Sequence, residues 1–153
     1  MEPTAPHLKF FADANILVDK PQVVGEGPRG LRRVINILGG EFKGTDWQAR
    51  VTGGADYQLI VSETFTELDA RYTLELDGGE LVYVRNRAIR SGPPELMAKI
   101  ARGEPVDPAA IYFRCSPTFE TASNAMRWIN ERMFVGTGAR HPDRVALRFF
   151  EVT

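Results

Sequence analysis

Glycine, proline and aspartate clusters cut this chain into short apolar runs, and that punctuation limits the folds open to it. GEGPRG, GG, TGG, DGG, SGPP and GTGARHPD stand between segments rich in Val, Ile, Leu, Phe and Tyr. The segments are LKFFADANILV (8–18), LRRVINIL (31–38), FKGTDWQARV (42–51), DYQLIVSE (56–63), ELDARYTLEL (67–76), 80–88, IYFRCS (111–116), MRWINERMFV (126–135) and RVALRFFEV (144–152). Such runs read as strands. Many short strands at even spacing make a sandwich or a closed barrel. Closure removes exposed edges and encloses a cavity. The expected fold is therefore mainly β, with about 8–10 antiparallel strands and one short helix. That helix is placed at 94–102 (PELMAKIAR), with Pro93 and Pro94 before it and Gly103 after it. Leu96, Met97 and Ile100 fit one apolar face, suited to covering a barrel end. Residues 119–127 are ambiguous and can open with a helical turn.

A chain of 153 residues supports one core, so a single domain over 1–153 is expected, with 8–152 as its body and 1–7 loose. Net charge is −1, which gives no support for a nucleic-acid partner. Cys115 is the one cysteine, so no internal disulfide forms, which suits a reducing compartment. The start, MEPTAPHLKF, lacks the charged and apolar regions of a signal peptide. No apolar run approaches the roughly 18 residues of a membrane span. A cytoplasmic protein away from membranes is expected, and a homodimer fits the common pattern of closed symmetry.

The stretch LVYVRNRAIR (81–90) begins as a strand and ends with arginines. Strand alternation puts Leu81, Tyr83, Arg85 and Arg87 on one face and Val82, Val84 and Asn86 on the other. A two-residue turn at Gly78-Gly79 would set Tyr72 opposite Arg85 on an apolar wall. A turn one residue longer flips the pairing, and Tyr83 and Arg85 then join Asp69, Arg71 and Glu75. Both registers keep Tyr83 and Arg85 together.

His7, His141 and Cys115 do not have metal-ligand spacing, so no metal site is expected. Cys115 reads as a small core residue, and no G-x-S-x-G marks a serine nucleophile. Gly39-Gly40 and Gly53-Gly54 lack the G-x-x-x-x-G-K context of a phosphate loop and read as strand corners or bulges. What remains is polar residues set in apolar strands: Arg33, Asp56, Gln58, Arg71, Arg85 and Arg114. A buried guanidinium must be paired or otherwise compensated. Each arginine faces solvent, pairs with Asp56, Asp69 or Glu120, or lines a wet cavity for an anion. Arginine's planar fork suits a carboxylate. Tyr57, Tyr72, Tyr83, Tyr112 and Trp128 offer flat walls, or plain core packing. Trp128 and Asn130 share a face if their segment is extended.

Taken in order, GLRRVINILGGEFKG, TGGADYQ, LDARYTLELDGGELVYVRNR, YFRCSPTFET and WINERMFVGTG resemble the family known as domain of unknown function 3237, also called uncharacterised protein family 0311. The resemblance runs from about Leu8 to Val152. It implies a compact lipocalin-like (calycin-like) antiparallel β-barrel. Family members often carry Trp at the place of Tyr57 and Gly at the place of Ala88. Some relatives act as cofactor-free decarboxylases of lignin-derived aromatic compounds, which gives a direction for activity.

The functional expectation is an enzyme acting on a small aromatic carboxylate with no metal or organic cofactor. Arg85, helped by Arg33 or Arg114, holds the carboxylate. Tyr72, Tyr83 or Tyr112 orients an oxygen of the substrate. Asp56 or Glu120, its pKa raised by burial, moves a proton. Gln58, Arg71, Trp128 and Asn130 complete the expected binding wall. The rival expectation is a carrier that binds an aromatic acid unchanged.

Overall fold

The computed structural model describes residues 1–153. Nine strands form one antiparallel sheet: β1 (Leu8–Val18), β2 (Gln22–Gly27), β3 (Gly30–Lys43), β4 (Gln48–Ser62), β5 (Phe65–Leu76), β6 (Leu81–Ser91), β7 (Tyr112–Thr121), β8 (Phe134–Arg140) and β9 (Arg144–Val152). The order is β1-β9-β8-β7-β6-β5-β4-β3, and pairing of β1 with β3 closes eight of the strands into a barrel. Strand β2, absent from the sequence expectation, is an outer ribbon on β3. The single α-helix, α1 (Pro94–Ala101), begins on Pro94 and buries Met97 and Ile100.

The glycine pairs bend strands without ending them. β3 runs through Gly39-Gly40 and β4 through Gly53-Gly54, so the three segments expected between 31 and 63 are two long strands, and the expected strand 42–51 instead straddles the turn at 44–47 that joins them. Gly40 has φ +130°, and a Cβ there would run into the Asn15 carbonyl of β1. That close approach needs glycine and allows β1 to pair with β3 at the corner.

The β5–β6 hairpin takes the longer of the two turns. Arg71 pairs with Arg85, Thr73 with Tyr83 and Leu74 with Val82. Leu68, Ala70, Tyr72 and Leu74 thus join Val82, Val84, Asn86 and Ala88 inside, while Tyr83 and Arg85 stand outside. The expected strand at 126–135 is in fact a 3-10 turn at Arg127–Glu131 followed by β8. This turn fills a gap where β7 and β8 share only two residue pairs, Arg114 with Thr137 and Cys115 with Gly136. Ile129 of the turn is 2% exposed.

The interior divides into two halves. Toward the end away from α1, Phe11, Phe42, Phe119, Phe134 and Phe149 interlock. Phe42 stacks on Phe149 at 5.5 Å, and Phe119 meets Phe134 edge-on at 5.0 Å. The half nearest α1 sets Asp56, Gln58, Asn86 and Arg90 among apolar side chains such as Ile37, Leu68 and Leu147, and the candidate site lies there.

Candidate functional site

Cross-strand register assembles the site. Asp56 of β4 pairs with Ala70 of β5, and Ala70 with Asn86 of β6. One inward step nearer α1, Arg33 pairs with Gln58, Gln58 with Leu68 and Leu68 with Ala88. The next step sets Thr66 beside Arg90. Side chains in one rung point the same way, so polar groups alternate with the small Ala70 and Ala88. The resulting cavity has a volume of ≈ 40 Å³, and Asp56, Gln58, Tyr72, Asn86, Arg90 and Phe113 are among its walls.

A hydrogen-bonded chain crosses this chamber. Arg33 Nη1 donates to the Ala101 carbonyl at the end of α1 (2.9 Å), and Arg33 Nη2 donates to Gln58 Oε1 (3.2 Å). Gln58 Nε2 in turn donates to Asp56 Oδ2 (2.8 Å). Other polar atoms are left over. Asp56 Oδ1, Tyr72 Oη, Asn86 Oδ1, Arg33 Nε, and Arg90 Nε and Nη1 are buried with no protein partner. Native interiors leave few such atoms, and here they converge.

Charge is also unbalanced. Arg33 and Arg90 are 5% and 3% exposed, and half-buried Arg140 lies near them, anchored to the carbonyls of His141 and Arg144. Asp56 is the one carboxylate that couples favourably to all three. Burial, with the neighbouring arginines also acting against its charge, brings Arg90 down to about 10, while Asp56 opposes the shift. Burial likewise raises the pKa of Asp56, and it outweighs the Gln58 hydrogen bond and the Arg90 and Arg140 charges. Tyr72 is raised by burial, and Cys115, a core residue 5% exposed, is pushed up to about 12 by the same cause. Neither the phenol nor the thiol ionises near neutrality.

Among the residues singled out from sequence, Arg33, Asp56, Gln58 and Tyr72 meet in this chamber. The others do not. Arg85 is on the outer face, clamped to Asp69 through Nε (3.2 Å) and Nη2 (3.0 Å), and Arg71 joins the same carboxylate at 3.3 Å. Those guanidinium groups hold Asp69 below the usual carboxylate range, Arg85 most strongly. Tyr83 (40% exposed) and Glu120 are neighbours on the outer face, turned away from the lumen. Arg114 lies over the exposed Tyr112 ring at 4.7 Å, also outside. Tyr57 is exposed too, so it contributes no wall to the chamber. Trp128 packs near Phe11 and Phe134 at the opposite end of the barrel.

Asn130 has a structural task. Its side chain accepts from the Thr121 amide (2.8 Å) and donates to the Thr121 carbonyl (2.9 Å), which ties the 3-10 turn to β7. Asn130→Ala should lower stability by about 1 kcal/mol per lost bond and leave ligand binding unchanged. Urea denaturation and a ligand titration on the same variant check both halves.

Sequence reasoning missed Arg90, Asn86 and Arg140. Arg90 and Asn86 carried a signal: they continue the parity of Val82 and Val84 along β6. Arg140 follows Phe134, Gly136 and Gly138 in the same way along β8, but the apolar pattern places that strand at 126–135, short of Arg140.

A closed eight-stranded antiparallel barrel, packed with phenylalanine rings at one end and holding buried arginines at the other, is the class these features define. The chain belongs to the family described as Protein of unknown function (DUF3237), whose model matches residues 6–152. It is 49% identical over 129 residues to a UPF0311 protein of Rhodopseudomonas palustris, covering 84% of each chain. It is 39% identical over 140 residues to a UPF0311 protein of Clostridium acetobutylicum, covering 90% of this chain and 89% of the other. A crystal structure of a Rhodopseudomonas palustris protein superposes with a TM-score of 0.93 at 42% identity, covering 99% and 100% of the two chains. A β-barrel-like protein of Acinetobacter baumannii gives 0.86 at 31% identity, covering 99% of both. No helix is long and apolar enough to cross a membrane.

Proposed function

We propose that the arginine-lined half of the barrel takes up a small aromatic carboxylate and that the protein acts on it as a cofactor-free lyase. The observation that carries this reading is the unpartnered guanidinium of Arg90, buried to 3% exposure beside Asp56. A carboxylate would supply the missing acceptors for Arg90 and offset the surplus positive charge. Tyr72 Oη offers a further donor to the guest. Arg90 and Arg140 thereby take the carboxylate-holding role assigned from sequence to Arg85 and Arg114.

Asp56 is the group suited to moving a proton, since burial keeps it protonated to higher pH than an exposed aspartate. On a phenolic acid with an unsaturated side chain, protonated Asp56 would deliver its proton to the carbon bearing the carboxylate. The phenol O–H releases its proton to solvent as the quinone methide forms. That ring then accepts the electron pair of the breaking C–C bond, CO₂ leaves, and the resulting phenolate takes a proton back from solvent. Solvent reprotonates Asp56, so the net change is one carboxylate and one proton converted to CO₂ and a vinyl arene. The arginines stabilise the intact carboxylate and so oppose its departure, which leaves the proton of Asp56 as the driving element.

That same opposition favours a second reading, in which the barrel only carries the acid. Incubation with hydroxycinnamate-type and other aryl acids, followed by chromatography, separates the two. CO₂ release that disappears in Asp56→Asn supports the lyase. Saturable binding with every acid recovered intact supports the carrier. Absence of binding by any acid ends both readings.

A further inference from the structure

Arg90 borders more than the lumen. It also lines a groove of ≈ 550 Å³ between α1 and the rims of β3, β4 and β5. The two spaces differ greatly in capacity. A cavity needs roughly 10–15 Å³ for each water, so the ≈ 40 Å³ lumen holds about three waters and no aromatic ring. Pockets that hold small molecules are roughly 300–1,000 Å³, and the groove falls in that range. Leu31, Ile60, Met97 and Ala98 give it apolar walls, and Arg33 and Arg90 lie buried at its inner end.

We infer that the ligand binds in two parts, its carboxylate drawn inward onto Arg90 and its aryl body lying in the groove beneath α1. This deepens the reading of the arginine cluster as an acid site and rests on it. It also narrows the ligand class. A ring seated among Ala98 and Leu31 is separated from a guanidinium only 3% exposed, so the acid needs a short chain between ring and carboxylate. Arylalkyl and arylalkenyl acids meet that need and benzoates do not. Glu63 and Glu95 are exposed residues of the groove lining. They repel a second carboxylate on the outer end of the ring, so the site selects monoacids.

Isothermal titration with acetate, benzoate, 3-phenylpropionate and its para-carboxylated analogue tests the arrangement. Binding of 3-phenylpropionate is expected to be about ten-fold or more tighter than that of acetate or benzoate, because the groove buries the ring. The para-carboxylated analogue should bind more weakly than 3-phenylpropionate. Ala98→Trp fills the groove from an exposed helical position that tolerates a large side chain. It should weaken 3-phenylpropionate by about ten-fold while changing acetate by less than about two-fold. Equal effects of Ala98→Trp on both ligands, or none on either, would overturn the two-part arrangement while leaving the acid site standing. Loss of 3-phenylpropionate binding in Ala88→Leu with no effect of Ala98→Trp would place the ring in the lumen instead. Failure of all four acids to bind wild-type protein would remove the acid site and the groove assignment together.

Discussion

Arg90→Met is expected to make the protein more stable and to deprive it of acid binding. Most substitutions of a residue only 3% exposed are destabilising, so the predicted sign is unusual. Its basis is electrostatic. Two guanidinium nitrogens are buried without partners, and their desolvation already lowers the Arg90 pKa to about 10. Methionine is apolar, flexible and unbranched, and it fills much of the same space against Phe113, whose ring lies 5.5 Å from the guanidinium. Asp56 keeps Arg33 and Arg140 as charge partners, so the change removes a surplus charge rather than breaking a lone pair. Replacing buried ionic groups by apolar ones of similar size stabilises proteins by about 1–4 kcal/mol in favourable cases. Removing one member of a buried charged contact to a ligand costs about 2–5 kcal/mol, so acid affinity should fall at least about thirty-fold. Urea denaturation and calorimetric titration give the two numbers. A variant that is less stable than wild type yet still binds the acid would show that Arg90 serves the fold. Such a trade of stability for a binding group is common at functional sites.

The barrel was legible in the sequence because its determinants are local. Turn clusters and period-two runs mark strand positions, and seven of the nine expected strands have counterparts, while 42–51 holds the β3–β4 turn and 126–135 opens with a 3-10 turn. The segment at 126–135 misled because Met126, Ile129 and Phe134 are all buried, yet the first two belong to a non-extended link that plugs a gap. Nothing local distinguishes a plug from a strand when both bury apolar residues. The site was legible only in part, for a related reason. Whether Arg85 or Arg90 faces inward depends on the parity of β6, and parity depends on the turn at Gly78-Gly79. The longer turn sends Arg85 out to Asp69 and leaves Arg90 inside. Leu81 and Tyr83 look apolar enough to belong inside, but they are 54% and 40% exposed. The Val82-Val84-Asn86-Ala88-Arg90 face was the better guide, since its early members are small, apolar and fully enclosed.

Asp56→Asn should remove a pH dependence as well as a proton donor. Burial raises the folded-state pKa of Asp56 above its unfolded value near 3.9. A carboxyl shifted upward favours the folded state fully below the unfolded pKa, and that contribution is lost as pH rises through the folded value. The wild-type protein should therefore show a stability decline across that interval that Asp56→Asn lacks. A bound carboxylate adds negative charge beside Asp56 and raises its pKa further, so acid binding should take up a proton. Calorimetric binding enthalpies measured in buffers of different ionisation heat would detect that uptake, and the variant should show none from this site. If Asp56 is also the catalytic acid, turnover should fall as pH rises through its raised pKa. Loss of the donor should then lower the rate by about 10²–10⁴-fold. Binding that survives in Asp56→Asn while turnover disappears assigns the proton to catalysis. Unchanged proton uptake and unchanged rate would remove Asp56 from the chemistry and leave the arginines as a holding device alone.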